Sequence, residues 1–240
     1  MEKIFDKHSH LFFIFIGLIS WSACAATSTD YAASVNDPDR PASERELDAA
    51  RKPQEVLAFY GVKSGDKVAD ISAGRGYYTA ILSGVVGPQG IVYTVNASSR
   101  EEINQRWKSP KFANVRVADG PFDKLPLPQD GSLDFALIHL NYHDLSPEVR
   151  TAMDKRVFAA LKPGGIYAVV DHSAKEGTGN EATKTFHRID KALVIKEVTA
   201  AGFKLEKEGN MLSKPGDTRD FNVNRVRNQD DRFVLEFVKP

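Results

Sequence analysis

Two groups of residues in this chain have the types and spacing to do chemistry. The first is Asp70-Ile71-Ser72-Ala73-Gly74-Arg75-Gly76-Tyr77-Tyr78-Thr79. An acidic residue closing an apolar run, followed by a glycine turn, can hold a cationic amine while the turn lets a ligand come close to the backbone. Gly74-x-Gly76-x-x-Thr79 lacks the third glycine of a dinucleotide fingerprint, so a pyrophosphate resting on the helix start is the weaker reading. The second group is the pair of couples His143-Asp144 and Asp171-His172, with His187-Arg188 further on. Imidazole titrates near neutrality and can take a proton from a reacting group. His139 lies within an apolar run and reads as a hydrogen-bonded core histidine. His187 reads equally as a cap, an ion-pair partner or a site residue, and Arg75 and Lys162 read as solvated turn residues.

The surrounding pattern must place these groups. Apolar, partly β-branched runs predict strands at 68–71, 91–95, 115–118, 133–140 and 166–170. Between them, helical spacing is found at 77–86, ended by Gly87-Pro88, and at 147–161, ended by Lys162-Pro163-Gly164-Gly165. Residues 41–60 predict one or two helical segments interrupted at Pro53, and 99–107 predicts a polar helix. Strands alternating with helices of these lengths predict an α/β fold, a doubly wound and mostly parallel sheet of Rossmann-like type with helices on both faces. A helix at 191–201 and two alternating segments, 203–206 and 232–238, read as edge strands, bring the sheet to seven. In such a sheet ligands bind beyond the carboxyl ends of the strands, which is where Asp70, His143 and Asp171 fall.

Composition sets bounds. The 240 residues are 42% hydrophobic and 27% charged, ordinary values for a folded protein, and the length suits one full-sized domain. Lys plus Arg equals Asp plus Glu at 32 each, which argues against a nucleic-acid partner. Cys24 is the one cysteine, so the chain has no internal disulfide and no multi-cysteine zinc site. Lys3 and Lys7, the apolar run 11–19 and Ala23-Cys24-Ala25 predict a secretory signal peptide over 1–25, whose apolar run, from Leu11 to about Trp21, is too short to span a bilayer. A flexible segment at 26–40 and a single domain at 41–240 would follow. The expected product is exported and periplasmic, with a lipid anchor at Cys24 as the alternative to simple cleavage after Ala25. The remaining histidines would then be His139, His143, His172 and His187.

Asp70 through Gly76 resembles the first motif of class I S-adenosylmethionine-dependent methyltransferases. Asp134-Phe135-Ala136-Leu137-Ile138 resembles their fourth strand, and Leu161-Lys162-Pro163-Gly164-Gly165 the turn before their fifth. The likeness runs from about Arg51 to Asp171. Val85-Val86-Gly87-Pro88-Gln89-Gly90, Asn141-Tyr142-His143-Asp144 and Asp171-His172-Ser173 resemble an exported subgroup of that family. The resemblance implies S-adenosyl-L-methionine as cofactor, with Asp70, Ser72, Gly74 and Gly76 on its methionine part, Asn96 on the ribose and Asp119 on the adenine. A small-molecule methyl acceptor would lie beside His143, Asp171 and His172 as catalytic residues. Two positions depart from the family pattern. Ser72 replaces the first motif glycine, and Asn96 replaces a ribose-gripping carboxylate, which would weaken cofactor binding about tenfold. No metal ligand is assigned. The alternatives are a binding protein that keeps the fold without the transfer, and a metal-assisted enzyme using the His143/Asp171 cluster.

Overall fold

The computed structural model describes residues 29–240 together with Met1. The signal-peptide pattern and Cys24 lie outside the described residues. Along the chain the elements are α1 (Tyr31–Val35), α2 (Ala42–Arg45), α3 (Asp48–Arg51), α4 (Pro53–Tyr60), β1 (Lys67–Ile71), α5 (Tyr77–Val86), β2 (Ile91–Val95), α6 (Glu101–Asn104), β3 (Val115–Val117), β4 (Leu133–His139), α7 (Pro147–Ala160), β5 (Leu161–His172), α8 (Thr183–Phe186), α9 (Lys191–Ala200), β6 (Lys204–Gly209) and β7 (Arg232–Val238). The strands form one sheet in the order β3-β2-β1-β4-β5-β7-β6, parallel except for the antiparallel β7. β1 lies between β2 and β4, so the chain reverses its winding direction there and opens a crevice at the carboxyl end of β1.

Alternation along the strands feeds two cores. Val68 of β1 joins Val56, Leu57, Ile81 and Leu82 on the face covered by α4 and α5. Its neighbours Ala69 and Ile71 join Met153, Val157, Val194 and Val198 beneath α7 and α9. The helices start where the sequence supplies partners for free N–H groups. Ser146 caps α7, with Pro147 in its first turn, and the Asp190 carboxylate accepts from the Ala192 N–H at 2.9 Å to start α9.

Four expectations change. Residues 29–40, expected as a flexible lead-in, are built into the domain. Tyr31 Oη donates to the Val62 carbonyl at 2.7 Å, Val35 is buried in the core, and Arg40 is bidentate to Asp48. β7 is not an edge strand but lies between β5 and β6, buried from Arg232 to Phe237. Its two charges are paired, Arg232 with Asp230 and Glu236 with Lys207. The helix expected at 99–107 is one α turn, α6, tightening into a 3₁₀ segment at Gln105–Lys108 that brings Trp107 into the core. The turn at 162–165 is drawn into β5, with a register shift opposite Leu133 and Phe135.

Candidate active site

The glycine turn owes its shape to three positive-φ residues, Ser72 at 59°, Gly74 at 60° and Gly76 at 86°. Gly76 is the position that admits no side chain. A Cβ there would lie 2.2 Å from Cζ2 of the buried Trp107 ring. Gly76→Ala combines left-handed strain with that collision and should destabilise the protein by about 3 kcal/mol. A shift in the denaturation midpoint at unchanged m-value measures it. At Gly74 a Cβ would meet nothing within 4 Å, so this residue faces open space. Its N–H donates to Asn96 Oδ1 at 2.9 Å, which ties the turn to the end of β2.

Asp70, 3% exposed at the end of β1, accepts from Thr79 Oγ1 at 2.6 Å. Burial pushes its carboxyl up to about 6, against the Thr79 hydrogen bonds and the nearby Arg51 charge, which pull it down. Such a carboxylate lacks a full counter-charge. Beyond it lies a cleft of about 860 Å³. Ser72, Ala73, Gly74 and Arg75 form its floor, and Glu102 and Ile103 flank one end. His139, Leu140, Asn141 and His172 line the opposite wall, and Leu47, Arg51, Val223, Asn224, Asp230 and Arg232 complete the lining.

The sequence-predicted residues divide across this cleft. Asp70, Ser72, Gly74 and His172 line it; Gly76, Asn96, Asp119, His143 and Asp171 support it from outside the wall. Asn96 was expected to face ribose, but its side-chain oxygen is used on Gly74, and its N–H donates to Asp119 Oδ1 at 2.9 Å. Asp119, expected at adenine, also accepts from Asn104 Nδ2 at 2.9 Å. These two residues brace the glycine turn and the loops after β2 and β3.

On the other side, Nδ1–H of His143 donates to the fully buried Asp171 at 2.7 Å, and the other Asp171 oxygen accepts the His143 backbone N–H at 2.8 Å. Burial opposes charge on His143, but the Asp171 and Asp144 carboxylates outweigh it and lift the imidazole to about 10. Its ring is committed to Asp171 through Nδ1 and lies outside the lining of the cleft. His172 differs in placement. It is on the cleft wall, and its Nδ1–H donates at 2.5 Å to Asp230, which Arg232 also grips.

Two wall residues were missed as site residues. Tyr78 Oη and His139 Nε2 are buried polar atoms without a hydrogen-bond partner among the described residues, and their rings stand 4.7 Å apart. Burial, with the Arg51 and Arg232 charges, holds His139 well below the usual histidine range, so it is neutral. A buried polar atom left unpaired costs about 1–3 kcal/mol unless a ligand supplies the partner. The only sequence signal was a histidine closing an apolar strand, which core histidines share.

Residues 68–165 match the methyltransferase domain family. The chain is 30% identical over 118 residues to the demethylmenaquinone methyltransferase of Staphylococcus aureus, covering 49% of this chain and 48% of that protein. It thus spans about half the length of the curated relatives it matches. The sheet superposes on a SAM-dependent methyltransferase from Aquifex aeolicus with a TM-score of 0.59 at 22% identity, covering 88% of this chain and 99% of that one. The fold is that of the class I methyltransferases. A second structure with this fold is the Burkholderia thailandensis 1,6-didemethyltoxoflavin-N1-methyltransferase, with bound 1,6-didemethyltoxoflavin and S-adenosylhomocysteine. It has a TM-score of 0.58 at 20% identity and covers 87% of this chain and 84% of that one. The cleft above Asp70 opens at the β1 crevice of this methyltransferase fold. Its size and its mixture of buried carboxylates, Glu44, Asp70 and Asp230, with arginine and histidine would accommodate a charged ligand of nucleoside size.

Proposed function

We propose that the protein is an S-adenosyl-L-methionine-dependent methyltransferase acting on a small-molecule acceptor. The observation that carries the reading is the buried, under-compensated Asp70 beneath an open cleft floored by Ser72–Gly74. Ionised Asp70 would take the cofactor's ammonium, and Gly74 would let its methionine part lie against the turn, which Gly76 shapes. Asn96 and Asp119 hold the two loops against which ribose and adenine would rest. The sulfonium supplies an already activated methyl group, so the protein's task is alignment and proton removal. His172, oriented by Asp230, is the candidate base, and Tyr78 and His139 are the candidate contacts to the acceptor. His143 and Asp171 hold the backbone of that wall.

A small-molecule acceptor is supported by the size of the cleft and by similar proteins whose names specify demethylmenaquinone and didemethyltoxoflavin. The test is transfer of labelled methyl from the cofactor to a panel of phenols, quinols and heteroaromatic amines. Label in one acceptor class, dependent on the protein, supports the proposal; retention of all label in the cofactor across the panel favours the binding-protein reading.

Export to the periplasm belongs to the same proposal. It is supported by Lys3, Lys7, the run 11–19 and Ala23-Cys24-Ala25. No helix among the described residues is long and apolar enough to cross a membrane. Mass spectrometry of the protein from its native cells should find a chain beginning at Ala26. A lipid on Cys24 would replace the soluble product with an anchored one, and an uncleaved Met1 start would overturn export.

A further inference from the structure

Beside the cleft, outside the wall already described, three side chains from two loops converge. His143 and Asp144 lie on the turn after β4, and His187 follows α8 in left-handed backbone at φ 53°. His143 Nε2 and His187 Nδ1 each lie 3.2 Å from Asp144 Oδ1, and the three ligand atoms fall within 4.8 Å of one another. Ligands about 2.0–2.1 Å from a tetrahedral ion sit about 3.3 Å apart, so two of the three spacings already suit a metal. We propose that His143 Nε2, Asp144 and His187 Nδ1 bind a divalent cation of the zinc class.

The donor set decides the class of ion. Two imidazole nitrogens and one carboxylate suit zinc and its borderline neighbours, whereas magnesium and calcium prefer all-oxygen shells. The support behind the ligands is also of the metal-site kind. Asp171, fully buried, takes the Nδ1–H of His143 at 2.7 Å, which fixes the ring and turns Nε2 toward Asp144 and His187. The bound ion takes the place of the second imidazole proton. The side chains of Asp144 and His187 are 49% and 32% exposed, so a fourth position is open to water. The ion would tie the turn after β4 to the segment after α8, next to the wall residues Asn141 and His172. This inference stands apart from methyl transfer, because its test reads metal binding alone.

The test is calorimetric titration of the metal-free full chain with Zn²⁺, with Co²⁺ absorption as an independent readout of coordination. The wild type should bind one equivalent at micromolar affinity or tighter and give the intense visible bands of tetrahedral Co²⁺. His187→Ala and Asp144→Ala, both at partly exposed positions, should each weaken binding about 10–100-fold and bleach those bands. Absence of a stoichiometric site in the wild type would overturn the proposal. So would wild-type affinity in both variants, since the metal would then be held elsewhere in the chain.

Discussion

Asp70→Asn should weaken S-adenosylmethionine binding by about 10–100-fold while making the ligand-free protein more stable at pH 8. The two effects have one cause. In the ligand-free fold the Asp70 carboxyl is buried and its pKa stands at about 6, above its value in the unfolded chain. Between about pH 4 and 6 the native state therefore holds the extra proton, and stability falls as pH rises through that window. Above it the cost of the buried charge is complete, at about 3 kcal/mol. Asparagine keeps an acceptor for Thr79 Oγ1 and removes the charge. The gain in thermal midpoint should thus be present at pH 8 and gone near pH 4. Cofactor affinity of the wild type should weaken below pH 6, where the ammonium would meet a neutral carboxyl. A variant that loses stability at pH 8 while keeping cofactor affinity would show that Asp70 is a structural acid.

His172→Ala should reduce methyl transfer by about 10²–10⁴-fold, measured with the acceptor found in the labelled-methyl panel. The Kd for S-adenosylmethionine should stay within about threefold, because Asp70 and the glycine turn are at the other side of the cleft. His172→Gln keeps a polar donor for Asp230 without the base, and should be as slow as the alanine variant if proton removal is the role. Recovery of turnover in the glutamine variant would make His172 a positioning residue that acts through Asp230.

The fold was largely legible because its parallel strands are buried on both faces and read as short apolar runs between turn residues. Where that pattern failed, a long-range pairing had intervened. Arg232 and Glu236 look solvent-facing until Asp230 and Lys207 neutralise them, and with them β7 becomes an interior strand. Residues 29–40 look like a polar linker until Arg40 meets Asp48. The site was legible where strand ends dictate convergence. Asp70, Ser72, Gly74 and His172 all reach the cleft, and His143 meets Asp171 across 28 positions of sequence. Spacing carried no sign of which side of the wall each residue takes. Asn96 and His143 are turned away by bonds to Gly74 and Asp171, whereas His139, at the end of β4, lies on the wall with Nε2 unpaired.

The central claim is that the cleft above Asp70 is a cofactor site, and calorimetric titration of the protein with S-adenosylmethionine and S-adenosylhomocysteine tests it most directly. The wild type should show one site per chain with micromolar affinity for both ligands, and Asp70→Asn should weaken S-adenosylmethionine binding about 10–100-fold. Binding of neither ligand to the folded wild type at millimolar concentration would contradict it.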